Sequence, residues 1–513
     1  MSTSSSQPLL IETSEVTRYE TFTREQLIEH VEFAQVTERF LLEKLREAYA
    51  KIGIPQQETI RVVDQLVVLR HQHFGRSSER RPNPSRERKA PQTPRDPKVL
   101  LPSERYPDLD LVETEVELQT APCCKLCEAE MEKMSATEDA EFLTMIRKSF
   151  HIVRQKRAKY RCTKCHGDIA TAPLPPRLIP GGSFSDEIAI DVAVSKYADH
   201  IPVERYVVQA ERVGVVGLLA PTLIDQTHAL ADHLKPVYEA IRNEVRSSPV
   251  LHADETPWKL LEGDETRNWQ MWGFFNETSS YYSAQDTRAG DVARDFLKSS
   301  KTEVLVSDAF SGYGKCTKGT GTKNAYCNAH ARRKFIEAEL SYPQASPVID
   351  DYRDLYEIER EIRGKPPEEK QHTRQARSKP IFEKIRTYVY ELQCLPQSSL
   401  GKARQYLLTY WVELTRFLED GRIPIDNNLA ERGLRGAVLG RKNYYGNHSK
   451  RGAQTTSVLY SIVESCKLNN VEPHQYLKDT VRALHQGESP LTPAAYALKH
   501  HVAVAPSLRK AAA

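Results

Sequence analysis

The chain reads as a multidomain protein of mixed α/β class, with an α/β core set among helical segments and a cysteine-bearing segment. Three observations carry that reading. At about 150 residues per domain, 513 residues allow three or four buried cores. The apolar period is helical over 24–72 and 183–245, then changes to short strand-like runs from 249. Two Cys-x-x-Cys pairs, Cys124/Cys127 and Cys162/Cys165, precede those runs.

Composition narrows the classes. Hydrophobic residues are 39% and charged residues 27%, which is globular rather than disordered. Lys plus Arg number 72 and Asp plus Glu 69, for a net charge of +3. A uniform basic coat is excluded, and any polyanion site must come from local clustering. The longest apolar run, Val213 to Ala220, contains two glycines and is far short of the roughly twenty residues a membrane span needs. The start, MSTSSSQPLLIETSE, lacks a basic region and is interrupted by Glu12, so no secretory signal is expected. Nine cysteines, five of them in two tight clusters, fit a reducing, cytoplasmic setting and a metal site.

Taken in order, residues 1–20 are Ser/Thr-rich and expected to be disordered. Segment 20–75 carries helices over 24–50 (Leu27, Val31, Ala34, Phe40 or Leu41, Leu45) and 57–72 (Ile60, Val63, Leu66, Val67, Leu69). It is a helical hairpin or a short coiled coil pairing two chains, and fewer than four heptads leave both readings open. Segment 76–118 is a linker: 76–98 is Pro- and Arg-rich, either a spacer or a DNA-touching arm, and 105–118 alternates like a strand edge.

Segment 119–170 is the expected zinc finger. Two Cys-x-x-Cys knuckles supply the four soft ligands of tetrahedral Zn²⁺; the plainer reading is a pair of metal-free knuckles. Cys123 adjoins the first pair, so the choice between Cys123 and Cys124 stays open. From Arg147 to His166 there are eight Lys/Arg and no acid, which points to nucleic acid.

Residues 183–246 read as helices over 185–197, 202–213 and 220–245, with Ser185 placed to cap the first. The break GVVGLLAPT resembles a helix-turn-helix turn, against a simple bundle. Segment 247–460 begins with strands at 249–253, 269–276 and 280–285, then a helix at 290–299. Strands at 303–307 and 323–328 and a helix at 329–340 follow. That order matches a ribonuclease-H-like core. A helical insertion, 343–423, and a C-terminal segment, 461–490, complete the chain. The insertion is a surface decoration or a clamp on DNA or a partner.

Asp254 and Asp308 end two neighbouring core strands in this reading. Paired acids repel unless a cation lies between them, and Mg²⁺ (or Mn²⁺) takes hard oxygen ligands. Two such ions can hold the attacking and leaving oxygens of a phosphoryl displacement. Glu431 is the candidate third acid, on a helix capped by Asp426 or Asn427. Its downstream stretch holds six Lys/Arg. Arg432, Arg435, Arg441 and Lys442 there, with Arg332, Arg333 and Lys334, are candidate DNA contacts. Singly, the acids also suit ordinary strand-end or surface roles; together they favour metal. Cys327-x-x-His330 is a second metal site or a structural pair. His252 either steers a phosphate or fills the sheet.

The sequence resembles the insertion-sequence-66 transposases, a branch of the DDE enzymes. The motifs that carry the resemblance are HADET (252–256), VSDAFSGY (306–313), CNAHARRKF (327–335), IDNNLAERGLR (425–435), GRKNYYG (440–446) and SIVESCKLNNVEPHQYL (461–477), with HFGRSSE (73–79) and the cysteine pairs. The resemblance implies a ribonuclease-H-like core with Asp254, Asp308 and Glu431 as catalytic acids. It implies Mg²⁺-dependent cleavage and strand transfer of double-stranded DNA, with element terminal repeats and target DNA as partners, in a bacterial cytoplasm on the nucleoid. Two DNA ends must meet, so a homo-oligomer is expected, and related elements carry companion proteins. The rivals are a DNA-binding relic acting as a regulator and a nuclease that cuts without joining.

Overall fold

The computed structural model describes residues 101–105, 111, 141, 143, 148–161, 169–262 and 265–500. The helices expected over 24–72, the 76–98 stretch, and Cys123, Cys124, Cys127, Cys162 and Cys165 lie outside the described residues. The chain forms two compact units. One comprises 76–156 with 213–215; the other comprises 1–75, 157–212 and 216–513. In the first, the Glu141 carboxylate accepts from both the backbone N–H and the hydroxyl of Ser103, each at 2.9 Å. The remaining description concerns the second.

There, β1 (Lys159–Arg161) pairs antiparallel with β2 (Ile169–Thr171). In sequence, the segment joining them carries Cys162 and Cys165. Four helices follow: α1 (Asp186–Tyr197), α2 (Val203–Glu211), α3 (Ala220–His233) and α4 (Lys235–Arg246). Ser185 takes the cap position of α1 but its side chain makes no cap bond; Asp186 accepts from the Leu178 N–H instead, at 2.9 Å. The single helix expected over 220–245 is broken at Leu234. Pro236 has no N–H to give the carbonyl four residues back.

The helix-turn-helix reading does not fit these helices. α3 contains no Lys or Arg. Gln226, Thr227, His228 and Leu230 on it are buried, and its exposed positions are Pro221, Asp225 and Asp232. A recognition helix needs an exposed, polar or basic face. His228 instead hydrogen-bonds through Nδ1 with Thr455 Oγ1 at 2.6 Å.

A five-stranded mixed sheet lies at the centre: β3 (Val250–Glu262), β4 (Glu265–Phe275), β5 (Ser280–Gln285), β6 (Val304–Ser307) and β7 (Lys323–Tyr326). The order is β5-β4-β3-β6-β7. β3, β4 and β5 pair antiparallel, while β3, β6 and β7 pair parallel. The expected end of β3 at Asp254 is corrected. β6 pairs only as far as His252↔Val306, but β4 keeps pairing from Asp254↔Gly273 to Glu262↔Glu265. One neighbour is enough to keep the strand extended, so β3 runs on through DETPW. The expected strand at 323–328 stops at Tyr326, because Cys327 caps the next helix.

α5 (Asp291–Leu297), α6 (Ser311–Cys316) and α7 (Asn328–Glu339) follow their strands. The insertion contributes α8 (Ser346–Glu361), α9 (Pro367–Thr373), α10 (Lys379–Glu391), α11 (Ser399–Thr409) and α12 (Trp411–Thr415). Its interior closes on Arg374, which pairs with both oxygens of Glu359 at 2.8 and 2.7 Å and donates to the Phe417 and Ile423 carbonyls. The chain then enters α13 (Asn428–Tyr444), α14 (Lys450–Leu468), α15 (Pro473–His485) and α16 (Pro493–Lys499). The boundary expected between 460 and 461 falls inside α14.

Two apolar cores result. One joins α1, α3 and α4 to β3–β5, α13 and the C-terminal helices. The other joins β6, β7 and α7 to the insertion. Gly433 on α13 and Gly273 on β4 both face the Phe275 ring, and a Cβ at either would overlap it. Their absence of side chain lets α13 lie close on the sheet.

α14 runs along β5. Its Ser457, Ser461 and Ser465 hydroxyls accept from the backbone N–H groups of Ala284, Tyr282 and Ser280, each at 2.9 Å. One helical step of four residues advances about 6 Å, and two strand residues advance about 6.8 Å, so three rungs stay in register. At the opposite rim, the Arg416 Nε–H donates to the Asn324 carbonyl of β7 at 2.7 Å.

Candidate active site

Antiparallel partners share a sheet face. Asp254 is opposite Gly273, and His252 is opposite Phe275, so Asp254 faces the side on which Gly433 and α13 pack. The β3–β6 pairing ends at His252↔Val306, and Asp308 follows directly after the last residue of β6, Ser307. Glu431, in the first turn of α13, approaches from above. Asp254 feels the charges of Asp308 and Glu431, but among the described residues the donor atoms that lie within 4.8 Å of one another are those of Glu431, Cys327 and His330.

Burial pushes the Asp254 carboxyl up to about 8, and the Glu255, Asp308 and Glu431 charges add to the rise. Only the Glu255 N–H, donating to Asp254 Oδ1 at 2.9 Å, opposes it. Asp308 Oδ1 accepts from the Phe310 N–H at 3.0 Å. Glu431 Oε1 is buried without a hydrogen-bond partner. Repelling carboxylates with an unsatisfied oxygen are the donor set a hard divalent cation takes, so these residues fit such an ion.

His252 and Asn427 brace the arrangement. Asn427 Nδ2 donates to the Ala253 carbonyl at 2.9 Å, which leaves its Oδ1 to accept from His252 Nδ1 at 2.9 Å. Burial lowers the His252 ring to about 4, so at neutral pH it is uncharged. It is enclosed at the α13 junction. The Asn427 N–H donates to Cys327 Sγ at 3.2 Å. Asn328 adds a second tie, its N–H and Nδ2 both reaching the Ile425 carbonyl at 3.1 Å. The start of α13 is thus fixed to β3 and to α7, and Glu431 with it. Cys327 is a buried thiol pushed up to about 12 by burial. The atoms of Cys327, His330 and Glu431 that could bind a metal lie within 4.8 Å of one another.

The opposite face of β3 holds a second acid that sequence reasoning did not single out. Glu255 Oε2 accepts from the Tyr313 hydroxyl at 2.5 Å. Its Oε1 accepts from Arg288 Nε and Nη2 at 2.8 and 2.7 Å. Arg288 also covers the Phe310 ring at 4.2 Å. Burial, with Glu255 alongside, raises the Tyr313 phenol well above its usual value. These contacts clamp the segment that follows Asp308. The only hint in sequence was proximity: HADET contains Glu255, and VSDAFSGY contains Tyr313.

The expected basic contacts divide. Arg432, Arg435 and Lys442 are exposed along α13. Arg441 is engaged within the fold, donating to Thr256 Oγ1 at 3.1 Å and to the Pro257 carbonyl. On α7, Arg333 is exposed, Arg332 is half-buried, and Lys334 lies over the Tyr406 ring at 4.8 Å. The GRKNYYG turn docks on β3: the Asn447 N–H donates to the Lys259 carbonyl at 3.0 Å, and the Leu261 N–H to the Asn447 carbonyl at 2.7 Å. Among the described residues no helix is long and apolar enough to cross a membrane.

Residues 181–455 match the sequence model of the transposase IS66 family, and residues 461–491 match the IS66 C-terminal element. Three proteins of Sinorhizobium fredii (strain NBRC 101917 / NGR234) are similar. "Uncharacterized protein y4jD" is 29% identical over 388 residues, 71% of this chain and 75% of that protein. "Uncharacterized protein y4qI" is 30% identical over 405 residues, 74% and 73% respectively. "Uncharacterized protein y4hP" is 28% identical over 406 residues, 73% of each.

Proposed function

The chain belongs to the IS66 family of transposases, and from that premise we propose that it cuts and joins DNA at a divalent-cation site made by Asp254, Asp308 and Glu431. The observation that carries the reading is that the charges of Asp308 and Glu431 help burial raise Asp254 to about 8, while Glu431 Oε1 is left unsatisfied. The strand order β5-β4-β3-β6-β7, antiparallel on one side of β3 and parallel on the other, supports a ribonuclease-H-like core.

When bound, Mg²⁺ or Mn²⁺ would supply positive charge to a phosphodiester and to its attacking oxygen. The chain does the positioning. β3 presents Asp254, and the segment directly after β6 presents Asp308. The His252–Asn427 brace sets the height of Glu431. Exposed Arg432 and Arg435, one and four residues on, are placed to meet phosphates beside the acids, and Arg333 to meet them from α7. Such contacts weaken steeply with salt.

In the same proposal, the zinc expected of the cysteine pairs keeps Cys162 and Cys165 as ligands in a ribbon. The pairing of β1 with β2 around the second pair supports it. That ribbon (119–170) and the 20–75 segment read the element ends, and two or more copies bring the ends together. Segment 247–460 is the catalytic domain, without the recognition role first expected of 183–246.

The test is cation-dependent nicking and joining of labelled element-end DNA by the native chain and by Glu431→Gln, with DNA binding measured in parallel. Products in the native chain and none in the variant, at equal binding, are expected. Equal products in both would remove Glu431 from the site. Nicking without joining would leave a nuclease rather than a transposase.

A further inference from the structure

His330 is the residue at this site that the carboxylate scheme does not use. It sits in the first turn of α7, three residues after the Cys327 cap. Its Nδ1 lies 3.6 Å from Glu431 Oε1. Both atoms are buried, and neither has a hydrogen-bond partner among the described residues. The side chains themselves remain 29% and 31% exposed.

The distance discriminates between uses. A His–Glu hydrogen bond closes to about 2.7–3.0 Å; at 3.6 Å this one is not made. Two donors on one cation, each at about 2.1 Å, sit roughly 3.0–3.4 Å apart in octahedral or tetrahedral geometry. The pair is thus spaced for an ion with a slight closure still to come. Cys327 is already engaged, its Sγ accepting the Asn427 N–H, and that bond ties it to the start of α13.

We propose that His330 is a ligand of the cation held by Glu431, so that the site offers one imidazole nitrogen beside its carboxylate oxygens. This rests on the functional reading above and deepens it. Imidazole binds transition ions in preference to Mg²⁺, which keeps to oxygen. The cation class selected is therefore a divalent transition ion such as Mn²⁺.

The experiment uses the full-length chain stripped of metal, then titrated with Mn²⁺ or Mg²⁺ alone. Bound Mn²⁺ is examined by pulsed electron paramagnetic resonance for coupling to ¹⁴N. The proteins are native, His330→Ala, His330→Gln and Glu431→Gln, with circular dichroism confirming that each is folded; the Gln variant serves if Ala is not. Nitrogen coupling in the native chain, lost in the His330 variants, is expected. Mn²⁺ affinity should fall about tenfold or more in those variants, and Mg²⁺ affinity less than threefold. Mn²⁺ binding that needs Glu431 but shows no nitrogen coupling, or coupling that survives loss of His330, would overturn the proposal and leave the carboxylate site standing. Mn²⁺ binding indifferent to Glu431→Gln would sink both.

Discussion

Asp254 on β3 is raised by burial and by the charges of Glu255, Asp308 and Glu431. On the opposite side of the strand, one residue further, the Glu255 carboxylate meets Tyr313 and Arg288. The strand supplies the same charge to both faces. What differs is what the neighbouring elements bring. α6 and the 286–290 segment bring a hydroxyl and a guanidinium, and Glu255 becomes a strut. Asp308, just past β6, and Glu431 on α13 bring more negative charge, and in the proposed reading Asp254 is left for a cation. On that reading a buried acid is structural or functional according to its partners, not its burial.

Exchanging each acid for its amide separates the two faces, most sharply in activity. Asp254→Asn should lower cutting and joining on the order of a thousandfold, corresponding to roughly 4 kcal/mol of lost transition-state stabilisation, while the protein stays folded. Cutting within tenfold of native would erase the distinction between the faces.

The same variant tests the electrostatics through stability. A carboxyl raised in the fold is neutral in both states below about pH 4 and costs nothing there. Its penalty grows as pH rises toward 8, at no more than roughly 1.4 kcal/mol per pH unit. In metal-free protein, Asp254→Asn should therefore gain stability over native at pH 8, with a smaller gain at pH 5. Urea denaturation at the two pH values measures it, and a constant gap would count against the acid cluster.

Glu255→Gln should do the reverse. It removes the charge that Tyr313 and Arg288 are bonded to, and about 2 kcal/mol of stability should go with it. The Arg288 side chain is 53% exposed and can return to water, which keeps the loss below that of a fully buried pair. Arg288→Ala leaves Tyr313 in place and should cost least, about 1 kcal/mol. If it costs more than Glu255→Gln, the strut is Arg288 packing on Phe310 rather than the ion pair.

Much of the site was legible because its signals are local. Each acid sits in a short motif, and the strand signals placed β5 and β6 closely, whereas β4 was expected only from 269 and begins at Glu265. The sequence did not show how far β3 extends. DETPW carries charges and a proline, and its strand character comes from β4 pairing and from partners of Glu255 that lie 33 and 58 residues away. The recognition-helix reading of α3 failed for a related reason. Its polar residues look exposed in sequence, but they are covered by α14, more than two hundred residues on, where His228 meets Thr455. His252 was ambiguous until Asn427 supplied the bond that explains its burial.

The serine ladder of α14 has a consequence for how copies of this chain meet. An unpaired sheet rim is a template on which another chain can lay a strand. Here the outward N–H groups of β5 are taken by Ser457, Ser461 and Ser465. At the other rim, Arg416 occupies the Asn324 carbonyl and Tyr410 stacks edge-on to Tyr326. The β5 rim is thereby closed to strand exchange, and a second copy approaching it would meet the α14 helix instead of a backbone template.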